Sequence, residues 1–225
     1  VIRTVWITRA RPGADHTAER LTELGFISVV TPLLEIRPFD VRPDLTGIEA
    51  LAFTSRNGVE AFVETSGAPA LPVFAVGDAT AAAARKAGFT DIRSAGGDLY
   101  ALAALIRAEG AGMSFLHLAA AEPAGDLTVL VGEAARIKTF AIYETLETDL
   151  ALPEAWDGVL IHSPRAARAL ATRLPPGVAS GRTAIALSPA TAQALASLGF
   201  GAVRVAEAPT EDSLLAALGK PRGNV

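Results

Sequence analysis

VFAVGDATAAAARKAGF (73–89) and AIALSPATAQALASLGF (184–200) align without a gap at an offset of 111 residues. Each opens with four apolar residues, passes through a small polar turn and runs through an alanine-rich stretch to Gly-Phe. Short apolar run, polar turn and helix former closed by glycine read as strand, turn and helix. The likeness extends outward on both sides. LAFTSRNGVEAF (51–62) precedes the first copy as VLIHSPRAARAL (159–170) precedes the second, and GGDLYALAAL (96–105) follows the first as PTEDSLLAAL (209–218) follows the second. The opening strand–helix–strand, ending in TPLLEI (31–36), has its counterpart at 115–146, ending in AIYETL. The chain is therefore written as a short unit, a long unit, and the same pair again.

Strands are expected at Val5–Thr8, Phe26–Thr31, Leu51–Thr54, Val73–Val76, Phe115–Leu118, Lys138–Tyr143, Gly158–His162, Thr183–Leu187 and Ala202–Val205. Between them lie helical stretches such as Ala14–Leu24, stopped by Gly25. Strands alternating with helices specify an α/β protein with parallel sheets. A short unit cannot bury its own face, so each must join a long one. The expectation is α/β: two flavodoxin-like parallel-sheet domains joined by a two-stranded linker, built on an internal pseudo-repeat. One domain combines 1–37 with 150–225; the other spans 38–149 with its linkers, drawn from 35–43 and 144–153. A cleft between two such domains is a common place for a ligand.

Composition narrows the function classes. Half of the 225 residues are hydrophobic and a fifth are charged, with mean hydropathy +0.35, which excludes intrinsic disorder. A net charge of −4 opposes binding to nucleic acid by bare electrostatics. The absence of cysteine removes disulfides, thiolate nucleophiles and iron–sulfur ligation, and fits a cytoplasmic protein. The longest run without a charge, 183–203, carries Pro189, Gln193, Gly199 and Gly201, so no membrane span is expected. VIRTVWITRARPG is too charged at the start to read as a signal peptide.

Four predicted strand tips share one chemistry: Thr54-Ser55-Arg56-Asn57, Gly77-Asp78-Ala79-Thr80, His162-Ser163-Pro164 and Ser188-Pro189-Ala190-Thr191. Serine before a helix is a cap, and proline fits the first helical position. The same geometry offers free N–H groups, hydroxyls and a positive dipole end to an anion. Four such tips suit a ligand with several carboxylates or phosphates. Arginine outnumbers lysine 17 to 3, and arginine grips carboxylates through two parallel bonds. A GC-rich codon preference and a solvated surface account for most of that count; Arg9, after the first strand, is the exception singled out as a ligand contact.

Other chemistries lack their motifs. No G-x-G-x-x-G follows a strand, and there is no P-loop or G-x-S-x-G elbow. His16, His117 and His162 have no metal-ligand spacing, so a metal site is not expected. No pair of carboxylates stands out for acid–base work. Catalysis would depend on orientation more than on a strong general acid.

These residues resemble the uroporphyrinogen-III synthase family across nearly the whole chain. The resemblance is carried by TR (8–9), LTELGF (21–26), TPLLEI (31–36), LAFTSRNGV (51–59), VGDAT (76–80), AIYET (141–145), DGVLIHSP (157–164), SPATAQALASLGF (188–200) and EAPTEDSLLAAL (207–218). It implies two α/β domains on a two-stranded linker, and conversion of hydroxymethylbilane to uroporphyrinogen III with ring D inverted and water lost. No cofactor or metal is implied. The resemblance further implies an octacarboxylate substrate; hand-over from the bilane-forming enzyme and a monomeric state are expected. Tyr143 matches the tyrosine beside the cleft in such enzymes, which implies help to the departing hydroxyl. Thr80 and Thr191 match the threonines of the two related turns, and Ser55 and Ser163 the hydroxyls after the preceding strands. With Arg9, Thr54, Arg56, Gly77, His162 and Ser188 they form the expected substrate-binding set. Ser188 stands where such proteins usually carry glycine, and 119–126 reads AAAEPAGD where many of them carry a charged, glycine-bearing stretch. The alternative is a catalytically degenerate relative that binds a tetrapyrrole or another polyanion in a regulatory role.

Overall fold

The computed structural model describes residues 2–221 and contains two sheets. The chain divides into two compact units, 1–35 with 146–225 and 36–145. The divisions fall inside two strands, β3 (Leu34–Pro38) and β8 (Arg136–Glu147).

The first unit holds β1 (Thr4–Ile7), β2 (Ile27–Val30), β9 (Gly158–Ile161), β10 (Thr183–Ala186) and β11 (Ala202–Val205) in the order β11-β10-β9-β1-β2. All four pairings are parallel. Relabelled by position in the unit, this is the 2-1-3-4-5 order of flavodoxin-like sheets. Val5, Trp6 and Ile7 are consecutive and all fully buried, because helices cover both faces. Trp6, Val159, Ile161, Ala184 and Ala186 pack on α6 (Pro164–Arg173). The alternate residues, Val5, Ile7, Leu160 and Ile185, pack on α1 (Gly13–Glu23) and α8 (Glu211–Ala216). At the end of α1, Gly25 takes φ +84°, a left-handed turn that costs glycine little and returns the chain to β2.

The second unit holds β4 (Ala50–Phe53), β5 (Val73–Ala75), β6 (Ile92–Ser94) and β7 (Ser114–Ala120) with β3 and β8, in the order β3-β8-β7-β4-β5-β6. From β8 to β6 the pairings are parallel. Leu51, Phe53, Leu116 and Leu118 face α2 (Arg56–Ser66) and α3 (Asp78–Lys86); Ala50, Ala52, Phe74 and Phe115 face α4 (Leu99–Glu109) and α5 (Leu127–Val131). Burying one such phenylalanine contributes about 1.5–3 kcal/mol.

Two strands escape the sequence reading. β3 and β6 are edge strands carrying Glu35, Arg37 and Arg93, so neither shows a continuous apolar run. β8 is twice as long as its apolar signal because its far end pairs with β3. The bonds Phe39 N–H to Ile142 O and Thr148 N–H to Leu33 O show that the two run antiparallel. The helix after β10 also differs from expectation. α7 (Pro189–Gln193) has five residues where α3 has nine, and Leu195, just beyond it, turns into the core.

Candidate functional site

In the second unit, the carboxyl end of β4 carries Thr54 and Ser55 into α2. Ser55 is extended and its Oγ accepts the Gly58 N–H at 3.0 Å, the expected cap. A Cβ on Gly58 would stand 3.0 Å from the Leu118 carbonyl oxygen, so a bare α-carbon lets α2 approach β7 this closely. The Ser55 hydroxyl then lies 2.9 Å from the phenol oxygen of Tyr143 on β8, 88 residues away.

A bulge brings the tyrosine there. Ala119 pairs with Ala141 but Ala120 pairs with Tyr143, leaving Ile142 extra. Strict alternation would point Ile142 and Tyr143 to opposite faces; the bulge buries both in one cluster. Burial pushes the phenol's pKa up, and the Ser55 bond offsets part of that. Tyr143 is thus a neutral phenol at neutral pH, able both to donate and to accept a hydrogen bond.

Thr54 reaches the other way, to His117 Nε2 at 3.3 Å, and His117 Nδ1 lies 3.2 Å from Thr139 Oγ1. The imidazole is fully buried, and burial pushes its pKa down to about 4 against the pull of the Asp126 carboxylate. Gly77 caps α3 with no side chain, in an extended conformation open to any residue. Asp78, exposed in the first turn, accepts a bond from Ser94 at 2.7 Å. Thr80 is 4% exposed, while Arg56 is exposed at the start of α2.

In the first unit, Ser163 caps α6 through the Ala166 N–H at 3.1 Å, with Pro164 at the first position. Ser188 caps α7 through the Thr191 N–H at 3.3 Å, and its hydroxyl lies 3.0 Å from that of Thr191, which is fully buried. Thr191 therefore builds the turn as much as it lines it.

Arg9 and His162 converge on one carboxylate that the sequence reading passed over. Glu211 Oε2 is 2.9 Å from Arg9 Nη1 and 3.1 Å from His162 Nε2, while Oε1 accepts from Thr17 at 2.6 Å. Burial raises the Glu211 pKa, but the His162 bond and charge, the Thr17 bond and the Arg9 charge outweigh it and hold it at about 2. The only sequence signal was an acidic residue beside the cap Thr210, which any helix start displays.

A cavity of about 460 Å³ lies elsewhere on this unit. Ile2, Trp156, Asp157, Arg182 and Thr183 line it at the amino ends of β1, β9 and β10, the opposite end of the sheet from Arg9 and His162. Ligands of open parallel sheets bind at the carboxyl ends, so the hydroxyl-bearing tips are the candidate site. Among the described residues no cluster of histidine and carboxylate is placed to hold a metal, and no helix is long and apolar enough to cross a membrane.

No curated protein matches the chain. The uroporphyrinogen-III synthetase of Helicobacter pylori is similar in fold, with TM-score 0.68 and 22% identity over 96% of this chain and 97% of that one. A mutant uroporphyrinogen III synthase of Thermus thermophilus aligns with TM-score 0.58 and 20% identity over 96% and 97%. The model of the family described as uroporphyrinogen-III synthase HemD matches residues 15–216. With that match covering most of its length, this chain belongs to the uroporphyrinogen-III synthase family.

Proposed function

We propose that this protein cyclises hydroxymethylbilane to uroporphyrinogen III, inverting ring D and releasing water, as a lyase that needs no cofactor. The observation that carries the reading is the Tyr143–Ser55 pair, where the bulge of β8 meets the carboxyl end of β4, in a member of this family. The phenol gives its proton to the hydroxyl leaving ring A, which departs as water and leaves a protonated azafulvene beside the phenolate. The substituted carbon of ring D attacks the exposed methylene to form a spiro intermediate. The bond from that carbon to its original methylene then breaks, the freed methylene closes onto the unsubstituted α-carbon of ring D, and the proton lost from that carbon restores the phenol. Ser55 Oγ steadies the phenolate between these steps while its lone pair holds the Gly58 N–H.

A phenol is a modest acid, so orientation supplies most of the rate. Arg9, Thr54, Ser55, Arg56, Gly77, Thr80, His162, Ser163, Ser188 and Thr191 hold the carboxylates in this reading. With the load spread over so many donors, no single contact is decisive. The protein works as a cytoplasmic monomer taking its substrate from the enzyme that forms the bilane. The test is direct. Purified protein is mixed with freshly generated hydroxymethylbilane, and type I and type III products are resolved by chromatography. Type III product is expected; spontaneous type I product alone overturns the assignment.

A further inference from the structure

His117 stands in FLHL, a strand buried on both faces, where an ionisable ring is costly unless both nitrogens are bonded. The sheet supplies the partners. His117 pairs in register with Ala52 on one side and Thr139 on the other. The small side chain of Ala52 leaves room for the ring to reach Thr54, two residues further along β4. The result is a row across three strands: Thr139 Oγ1, imidazole, Thr54 Oγ1, at 3.2 and 3.3 Å. Thr54 is adjacent in sequence to Ser55, whose hydroxyl bonds Tyr143.

A neutral imidazole donates from one nitrogen and accepts at the other. If Nδ1 carries the proton, Thr54 must donate inward and can offer only lone pairs outward. If Nε2 carries it, the ring donates to Thr54 Oγ1 and the threonine proton is left for a ligand. A hydroxyl serves a carboxylate only as a donor.

We propose that His117 is a positioning residue: its Nε2–H fixes the Thr54 hydroxyl as a proton donor toward a substrate carboxylate, with Thr139 donating to Nδ1 from behind. This rests on the reading of Thr54 as a substrate contact. All three bonds then run in one direction, an arrangement in which each polarises the next. His117 itself touches no substrate.

The test uses uroporphyrin III, the stable oxidised octacarboxylate, as the probe for affinity, with 15N NMR of the histidines alongside. Thr54→Val and His117→Leu should each weaken binding about fivefold, the effect of one neutral hydrogen bond. The double variant should lose no more than Thr54→Val alone, and His117→Gln, which keeps a donor, should recover most of the loss. In the wild type the His117 resonances should report the Nε2–H tautomer. Losses that multiply in the double variant, wild-type affinity in either single variant, or an Nδ1–H tautomer would each overturn the proposal. The NMR readout needs neither a ligand nor a folded His117 variant. A wild type that fails to bind uroporphyrin at all instead indicts the assignment of the site.

Discussion

Replacing Tyr143 by phenylalanine removes one oxygen and leaves the ring in its cluster with Phe53, Phe62, Leu118 and Ile142. The Ser55 hydroxyl loses its 2.9 Å partner but keeps the Gly58 N–H at 3.0 Å, so no buried group is orphaned. The stability cost is that of one neutral hydrogen bond, about 1 kcal/mol, or a few degrees in Tm for a protein of this size. The kinetic cost is expected to be larger. General acids contribute about 10²- to 10⁴-fold, and a phenol whose pKa burial has raised belongs at the low end, about 10²-fold. Single-turnover rates with freshly generated hydroxymethylbilane, urea unfolding and affinity for uroporphyrin III, measured side by side, separate the two effects. The expected pattern is a rate down about a hundredfold, with stability down by about 1 kcal/mol and affinity close to wild type. Because the raised pKa keeps the phenol protonated, the wild-type rate should also hold through mildly alkaline pH. A Tyr143→Phe enzyme with unimpaired turnover would refute the acid role and leave catalysis to orientation alone.

The Glu211 cluster predicts an acid-sensitive fold. Its carboxylate has an ordinary pKa of 4.5 unfolded and about 2 folded, so its stabilisation is complete above 4.5 and is lost as pH falls toward 2. Glu211→Gln should therefore lower stability at pH 7 by at most roughly 3 kcal/mol, with the deficit shrinking below pH 4.5; a pH-independent deficit in urea unfolding would contradict the linkage. Gly110→Ala should cost roughly 1–3 kcal/mol, because the added Cβ would stand 2.5 Å from the Phe115 ring and 3.1 Å from the Ile106 carbonyl; wild-type unfolding in urea would show that α4 can yield there.

Reading the sequence located what is encoded within a few neighbouring residues. β-Branched and apolar runs marked nine strand positions, most plainly the central strands β1, β4 and β9, which are buried on both faces and so apolar almost throughout. Ser55, Ser163 and Ser188 were legible as caps because a cap and its partner lie three residues apart. The TSRNGV and AIYET segments pointed to Ser55 and Tyr143 separately, each by resemblance. What joins them is tertiary. The Ser55–Tyr143 bond spans 88 residues and depends on a bulge at Ala119–Ala120, an extra residue that no periodicity announces. Glu211 lies 202 residues from Arg9, and its local setting is that of any acidic helix start. His117 shows no metal spacing in the sequence, and its partners Thr54 and Thr139 are neighbours only through the order of β4, β7 and β8. Local propensity acts over a turn or a strand, whereas hydrogen bonds between strand tips depend on sheet order and register, which packing decides for the whole unit at once.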